Sequence, residues 1–113
     1  MKIIFTTKGP DWNSPIDPRF GRTEMFLIYD EENDKFEKVL NNEVEVMGHG
    51  AGLQTSKKVL ALDSNIIITG NGAGGKALEI IKETDIKMYI GAGDMTVKEA
   101  YEAYKSGQLK TQF

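Results

Sequence analysis

Apolar and polar positions change rhythm near residue 48. Before it lie three short runs rich in Ile, Phe, Thr and Tyr, at Lys2–Thr7, Met25–Asp30 and Lys35–Leu40, a composition suited to pleated, half-buried strands. The second and third flank the polar cluster Glu31-Glu32-Asn33-Asp34 and so predict a hairpin. Asn41-Asn42 breaks the third run, and Glu43-Val44-Glu45-Val46 alternates as a short edge extension does. Beyond residue 48, strands alternate with helical patterns: a helix over about 51–62, a strand at 65–69, a helix over about 74–83, a strand at 86–90 and a helix over 97–105. The unbroken run Ile66-Ile67-Ile68 predicts a strand covered on both faces, with helices on both sides of one sheet. In the last helix Val97, Ala100, Tyr101 and Tyr104 follow an i, i+3, i+4, i+7 spacing. Thr96 and Glu99 form a capping box ahead of it, and Gly107 stands where it should stop.

The 113 residues, 40% hydrophobic, form one domain spanning 1–113. A net charge of −3 gives no basic surplus to follow a phosphate backbone, so no nucleic-acid partner is expected. With no cysteine there is no disulfide, thiolate nucleophile or protein-thiolate cluster site, and metal chemistry must run through nitrogen or oxygen. The apolar run Ile3–Phe5 is too short for a signal peptide, and nowhere do ~18 apolar residues follow one another. The expectation is a cytoplasmic protein with no membrane partner.

Three loops, each ahead of a predicted helix, hold most of the glycines: Gly48-His49-Gly50-Ala51-Gly52, Gly70-Asn71-Gly72-Ala73-Gly74-Gly75 and Gly91-Ala92-Gly93-Asp94. Loops leaving the carboxyl ends of parallel strands lie along one sheet edge, so at least two of these should meet there. Glycine lets backbone approach a ligand closely, and unpaired N–H groups at helix starts favour an anion. Each start is worth at most ~2 kcal/mol, so three supply ~6 kcal/mol and a dissociation constant no better than tens of micromolar. Tighter binding needs a further contact. Such glycines also serve merely to end strands and permit close helix packing, and that reading stays open.

His49, the only histidine, lies between two glycines at the mouth of a helix. Imidazole is the best ligand this chain has for a borderline metal. Alone it cannot hold a bare ion, but it can tether a cluster that arrives with its own sulfides; an uninvolved loop histidine is the competing reading. Gly70-x-Gly72-x-x-Gly75 matches the dinucleotide fingerprint on paper, with Asp94 as the acidic residue, but its strand is not the first of the sheet. Gly70-x4-Gly75-Lys76 fails as a P-loop because Ala77 replaces the Ser or Thr that would hold magnesium.

The irregular stretch from about 9 to 24 holds all three prolines and is a candidate site wall. Within Asp17-Pro18-Arg19-Phe20-Gly21-Arg22, both arginines can reach the glycine edge; alternatively Asp17 pairs with one of them and Phe20 plugs the core. Trp12 is either a lid or a hydrophobic cover. Met25 and Met88 fall in strand patterns as core filler, whereas Met47 and Met95 flank the glycine loops. No Ser/His/Asp arrangement is recognisable, and no carboxylate pair at helical spacing beside a second histidine supports metal-assisted hydrolysis.

Four segments together resemble the dinitrogenase iron–molybdenum cofactor biosynthesis family, which includes the NifX and NafY carriers and the C-terminal domain of NifB. They are Phe20-Gly21-Arg22 with Met25-Phe26-Leu27-Ile28-Tyr29-Asp30, His49-Gly50-Ala51-Gly52, Gly70-x-Gly72 with Ala77, and Thr96-Val97-Lys98-Glu99-Ala100 with Gly107-Gln108-Leu109. Arg19 stands where members that handle the cofactor often carry histidine. The resemblance implies an α/β, ribonuclease-H-like three-layer fold with a five-stranded mixed sheet in order 3-2-1-4-5. It also implies a non-catalytic monomer that binds or carries an anionic iron–sulfur or iron–molybdenum type metallocluster among other cluster-assembly proteins. On that reading His49 ligates the metal, while Gly48, Gly50, Gly52, Gly72, Gly74, Arg19 and Arg22 receive the cluster. The alternatives are a phosphate- or nucleotide-binding protein using Gly70–Lys76, and a protein-interaction domain.

Overall fold

The computed structural model describes residues 1–41, 51–62 and 64–112. The first strand β1 (Lys2–Thr7) pairs antiparallel with β2 (Met25–Asp30), which pairs antiparallel with β3 (Lys35–Leu40). Helix α1 (Ala51–Leu60) leads to β4 (Ile66–Ile68), helix α2 (Gly75–Lys82) to β5 (Lys87–Ile90), and helix α3 (Val97–Lys105) to a two-residue strand β6 (Lys110–Thr111). β4 lies parallel to both β1 and β5, while β6 returns antiparallel on β5. The sheet order is β3-β2-β1-β4-β5-β6. The five expected strands therefore stand in the expected order, and a sixth short strand extends the sheet beside β5. The expected extension at Glu43–Val46 lies outside the described residues.

Strand alternation sorts the core into two faces. Ile4, Phe26, Ile28, Ile67 and Met88 meet Val59 of α1 and Ala77 and Ile81 of α2 on one side. Ile3, Phe5, Leu27, Ile66 and Ile68 meet Val97 and Ala100 of α3 on the other. The result is three layers, with both faces of the isoleucine run of β4 buried as the sequence implies. Among the described residues no helix is long and apolar enough to cross a membrane.

The long connection between β1 and β2 divides between two tasks. Its first part folds over the α3 face, where Ile16 is buried and Trp12 packs edge-on against Tyr29 and Phe36, each with ring centroids 4.8 Å away. Trp12 is thus a cover for the core. The second part, from Asp17, turns to the carboxyl end of the sheet, where Asp17 N–H donates to the Thr6 carbonyl at 2.8 Å.

Candidate functional site

Strand directions alone bring four connections to one edge. β1, β4 and β5 all end there, β2 starts there with Met25 opposite Thr7, and β3 ends there with Leu40 opposite Met25. β1 is the point at which the chain turns one way to β2 and the other way to β4, the kind of position where open α/β sheets place their ligands.

Contacts at this edge are close. A Cβ on Gly70 would lie 2.5 Å from Pro18 Cα and 2.9 Å from Gly93 Cα, so only glycine admits that approach of three backbones. Gly91 N–H donates to the Gly70 carbonyl at 2.9 Å, and Asn71 N–H donates to the Pro18 carbonyl at 2.9 Å. The Thr6 hydroxyl, buried between β1 and β4, donates to the Asp17 carbonyl at 2.8 Å and lies 2.7 Å from the Thr69 hydroxyl. Helix α1 joins through Thr55, whose hydroxyl donates to the Gly21 carbonyl at 2.8 Å and accepts from Asn41 Nδ2 at 3.1 Å. Its first residue, Ala51, lies one turn ahead of that contact. The convergence expected of the 70–75 and 91–94 loops is present, with the 17–22 segment wedged against both.

Asp17 is fully buried, and its carboxylate accepts from Arg19 N–H at 3.0 Å, Arg19 Nε at 3.1 Å, an Arg19 terminal nitrogen at 3.2 Å and Glu24 N–H at 3.3 Å. These hydrogen bonds and the carboxylate charge raise the Arg19 pKa above its ordinary value. Arg19 thus carries a permanent charge at the edge, already paired from below, with 55% of its side chain exposed. Phe20 is buried in the core against α1 and α2. Of the two roles weighed for this segment, Asp17 takes the pairing and Phe20 the plug; Arg22 is exposed and engaged in an interaction of its own.

The helix starts differ from one another. Gly74 caps α2 with no side-chain hydrogen bond, so its first turn has no capping side chain from the N-cap position. α3 is closed: Val97 N–H donates to the Ser14 carbonyl at 2.9 Å, Lys98 N–H to the Trp12 carbonyl at 3.0 Å, and Glu99 N–H to the Thr96 hydroxyl at 3.2 Å. The loop that covers the α3 face has taken the amides an anion would need. The expectation of three open starts is corrected at α3; the start of α2 remains open and supplies at most ~2 kcal/mol, while the residues ahead of α1 lie outside the described residues.

The 70–75 loop departs from a phosphate cradle in the same way. Asn71 N–H is taken by Pro18, and Ala73 N–H donates to Gln112 Oε1 at 2.9 Å. The strap residue Gln112 had no signal in the sequence, being one amide in a polar tail. Thr55 and Asn41 were equally silent. Gly72 is partly covered and Gly74 exposed, while Gly52 falls within α1. Met88 is buried and Met95 packs on the α3 core. Gly48, His49, Gly50 and Met47 lie outside the described residues, as does the side chain of Lys76. Among the described residues no three His, Asp or Glu side chains form a metal-binding group.

Comparison with known proteins agrees with this architecture. An uncharacterized protein of Methanocaldococcus jannaschii is 30% identical over 112 residues, covering 97% of this chain and 90% of its own length. The apo form of the orange protein from Desulfovibrio gigas superposes with a TM-score of 0.89 at 28% identity, covering 97% of this chain and 91% of the other. The NMR structure of a NifB-type protein from Thermotoga gives 0.79 at 31% identity over the same shares of the two chains. The family described as dinitrogenase iron-molybdenum cofactor matches residues 1–107, which take in the whole glycine edge. On that match, and with neighbours that share the fold over nearly all of its length, the chain belongs to the dinitrogenase iron-molybdenum cofactor family.

Proposed function

We propose that the chain is a non-catalytic carrier whose cargo is an anionic iron–sulfur or iron–molybdenum type cluster, received at the glycine edge. The observation that supports this most is the meeting of the 17–22, 70–75 and 91–94 segments with the start of α1 at the carboxyl edge of the sheet, in a chain whose family is named for that cofactor. Gly72 and Gly74 allow the cargo to approach backbone amides, Gly48 and Gly50 ahead of α1 and Gly52 in its first turn do the same, and Arg19 and Arg22 offset its charge. Even with an open start at α1 beside that of α2, helix starts alone give no better than about millimolar affinity, so the reading requires a bond from protein to metal, and His49, two residues ahead of α1, supplies the imidazole. Protein thiolates are unnecessary, since such a cluster carries its own sulfides. In this reading the chain works as a cytoplasmic monomer and exchanges cargo with other cluster-assembly proteins.

Anaerobic titration with iron–molybdenum cofactor extracted from dinitrogenase tests it. The wild type should develop saturable visible absorbance that His49→Ala loses. A colourless wild type, or a thermal shift with ATP that Lys76→Ala abolishes, overturns the proposal.

A further inference from the structure

The two residues of β6 are exposed, and the strand is the shortest of the sheet. The next residue, Gln112, is nevertheless half-buried and reaches the glycine loop. Gln112 N–H donates to the Met88 carbonyl at 2.8 Å, continuing the ladder between β5 and β6 by one step. Its carboxamide then grips one residue of the glycine loop on both sides: Oε1 accepts from Ala73 N–H at 2.9 Å and Nε2 donates to the Ala73 carbonyl at 2.5 Å. The methyl of Ala73 is itself buried against the core under α2. Gly72 is matched to this grip, with φ of +83° and a Cβ position that would fall 2.7 Å from Gln112 Cδ.

Where the carboxamide comes from decides what it does. Met88 lies two residues below Ile90, the end of β5, so Gln112 approaches the loop from within the sheet layer, ~7 Å short of the edge. It braces the loop from behind. Gly74, the N-cap of α2, and Gly75, its first residue, follow the fixed Ala73; beyond their own chain neighbours and the helix backbone nothing lies within 4 Å of where a Cβ would stand, and their side of the loop is open. A chain of consecutive glycines has much conformational freedom to lose on meeting a ligand. Fixing its preceding residue removes part of that loss beforehand. The family match ends at residue 107, so this brace lies beyond the matched segment.

We infer that Gln112 is a positioning residue for the cargo site, holding the 72–75 loop in its receptive conformation through both polar atoms of its carboxamide. The inference rests on the carrier reading. Its test uses Gln112→Ala and Gln112→Met, the second retaining side-chain length while removing both hydrogen bonds. Each is titrated anaerobically with extracted iron–molybdenum cofactor, alongside the thermal midpoint and hydrogen exchange at the Gly74 and Gly75 amides. Both variants should bind about tenfold more weakly, with an unchanged absorption spectrum and faster exchange at the two glycines. Wild-type affinity in the variants overturns the assignment to Gln112 and leaves the carrier reading standing. Tighter binding overturns it also, by making the residue an obstruction, as does a loss of affinity that only tracks a loss of fold. A wild type that takes up no cofactor removes the carrier reading and this inference together.

Discussion

At the scale of the residue, two glycines in one loop behave oppositely. Gly70 is hemmed in by the backbones of Pro18 and Gly93, neither of which can give way as a flexible side chain does, whereas nothing stands near Gly74. Gly70→Ala should therefore destabilise the protein by about 1–3 kcal/mol, and Gly74→Ala, which meets no clash and loses only the preference for glycine over alanine at the N-cap of α2, by about 0.5 kcal/mol, both read from denaturant midpoints. Equal effects would contradict the packing described. The sequence showed that these glycines cluster; it could not show which one is pressed against Pro18, because that depends on contact between segments more than fifty residues apart. The pairing of Asp17 with Arg19 was more accessible. Two residues of opposite charge astride a proline invite it, and the structure adds that the carboxylate is fully buried and also receives two backbone N–H groups.

At the scale of the element, pattern and local capping carried most of the information. β1, β2, β3 and α3 begin and end where composition and the Thr96 capping box place them. α1 stops at Leu60 instead of running to residue 62, because Ala61 and Leu62 N–H turn to the carbonyls of Lys58 and Val59, tightening the last turn. β6 was invisible, since two exposed residues have no alternation to read and are strand only through pairing with Tyr89 and Ile90. The closure of α3 was hidden for a similar reason: its first amides are taken by carbonyls of a loop some eighty residues earlier. Thr96→Ala should cost about 1 kcal/mol in thermal or denaturant unfolding yet leave cofactor affinity at the wild-type value. An affinity loss in that variant would mean that α3 contributes to the site after all.

At the scale of the whole molecule, the sheet separates two chemistries. The edge at the carboxyl ends of β1, β4 and β5 carries the glycine loops, while the opposite edge carries Glu31, which accepts from the Tyr101 hydroxyl at 2.5 Å and from Lys105 Nζ at 3.0 Å. The Tyr101 hydrogen bond first, then Lys105, holds the Glu31 carboxyl below the usual glutamate range. The unfolded chain therefore takes up a proton at Glu31 at higher pH than the folded one. The contact stabilises the fold above the ordinary glutamate pKa of about 4.3, and that contribution disappears as pH falls through the lower folded value. Urea midpoints should decline on acidification across this range, and Glu31→Gln should flatten the decline without altering cofactor affinity at neutral pH. A profile unchanged by the substitution would remove Glu31 from the acid response.

The aromatic cover has a use at the bench. Trp12 is the chain's only tryptophan, and it touches Tyr101 of α3 as well as Tyr29 and Phe36 of the sheet. Its emission therefore registers the detachment of one helical layer, whereas the visible colour of a loaded carrier would register the state of the other side. Following both signals through a single denaturation would reveal whether the two faces part company in sequence or dissolve as a unit.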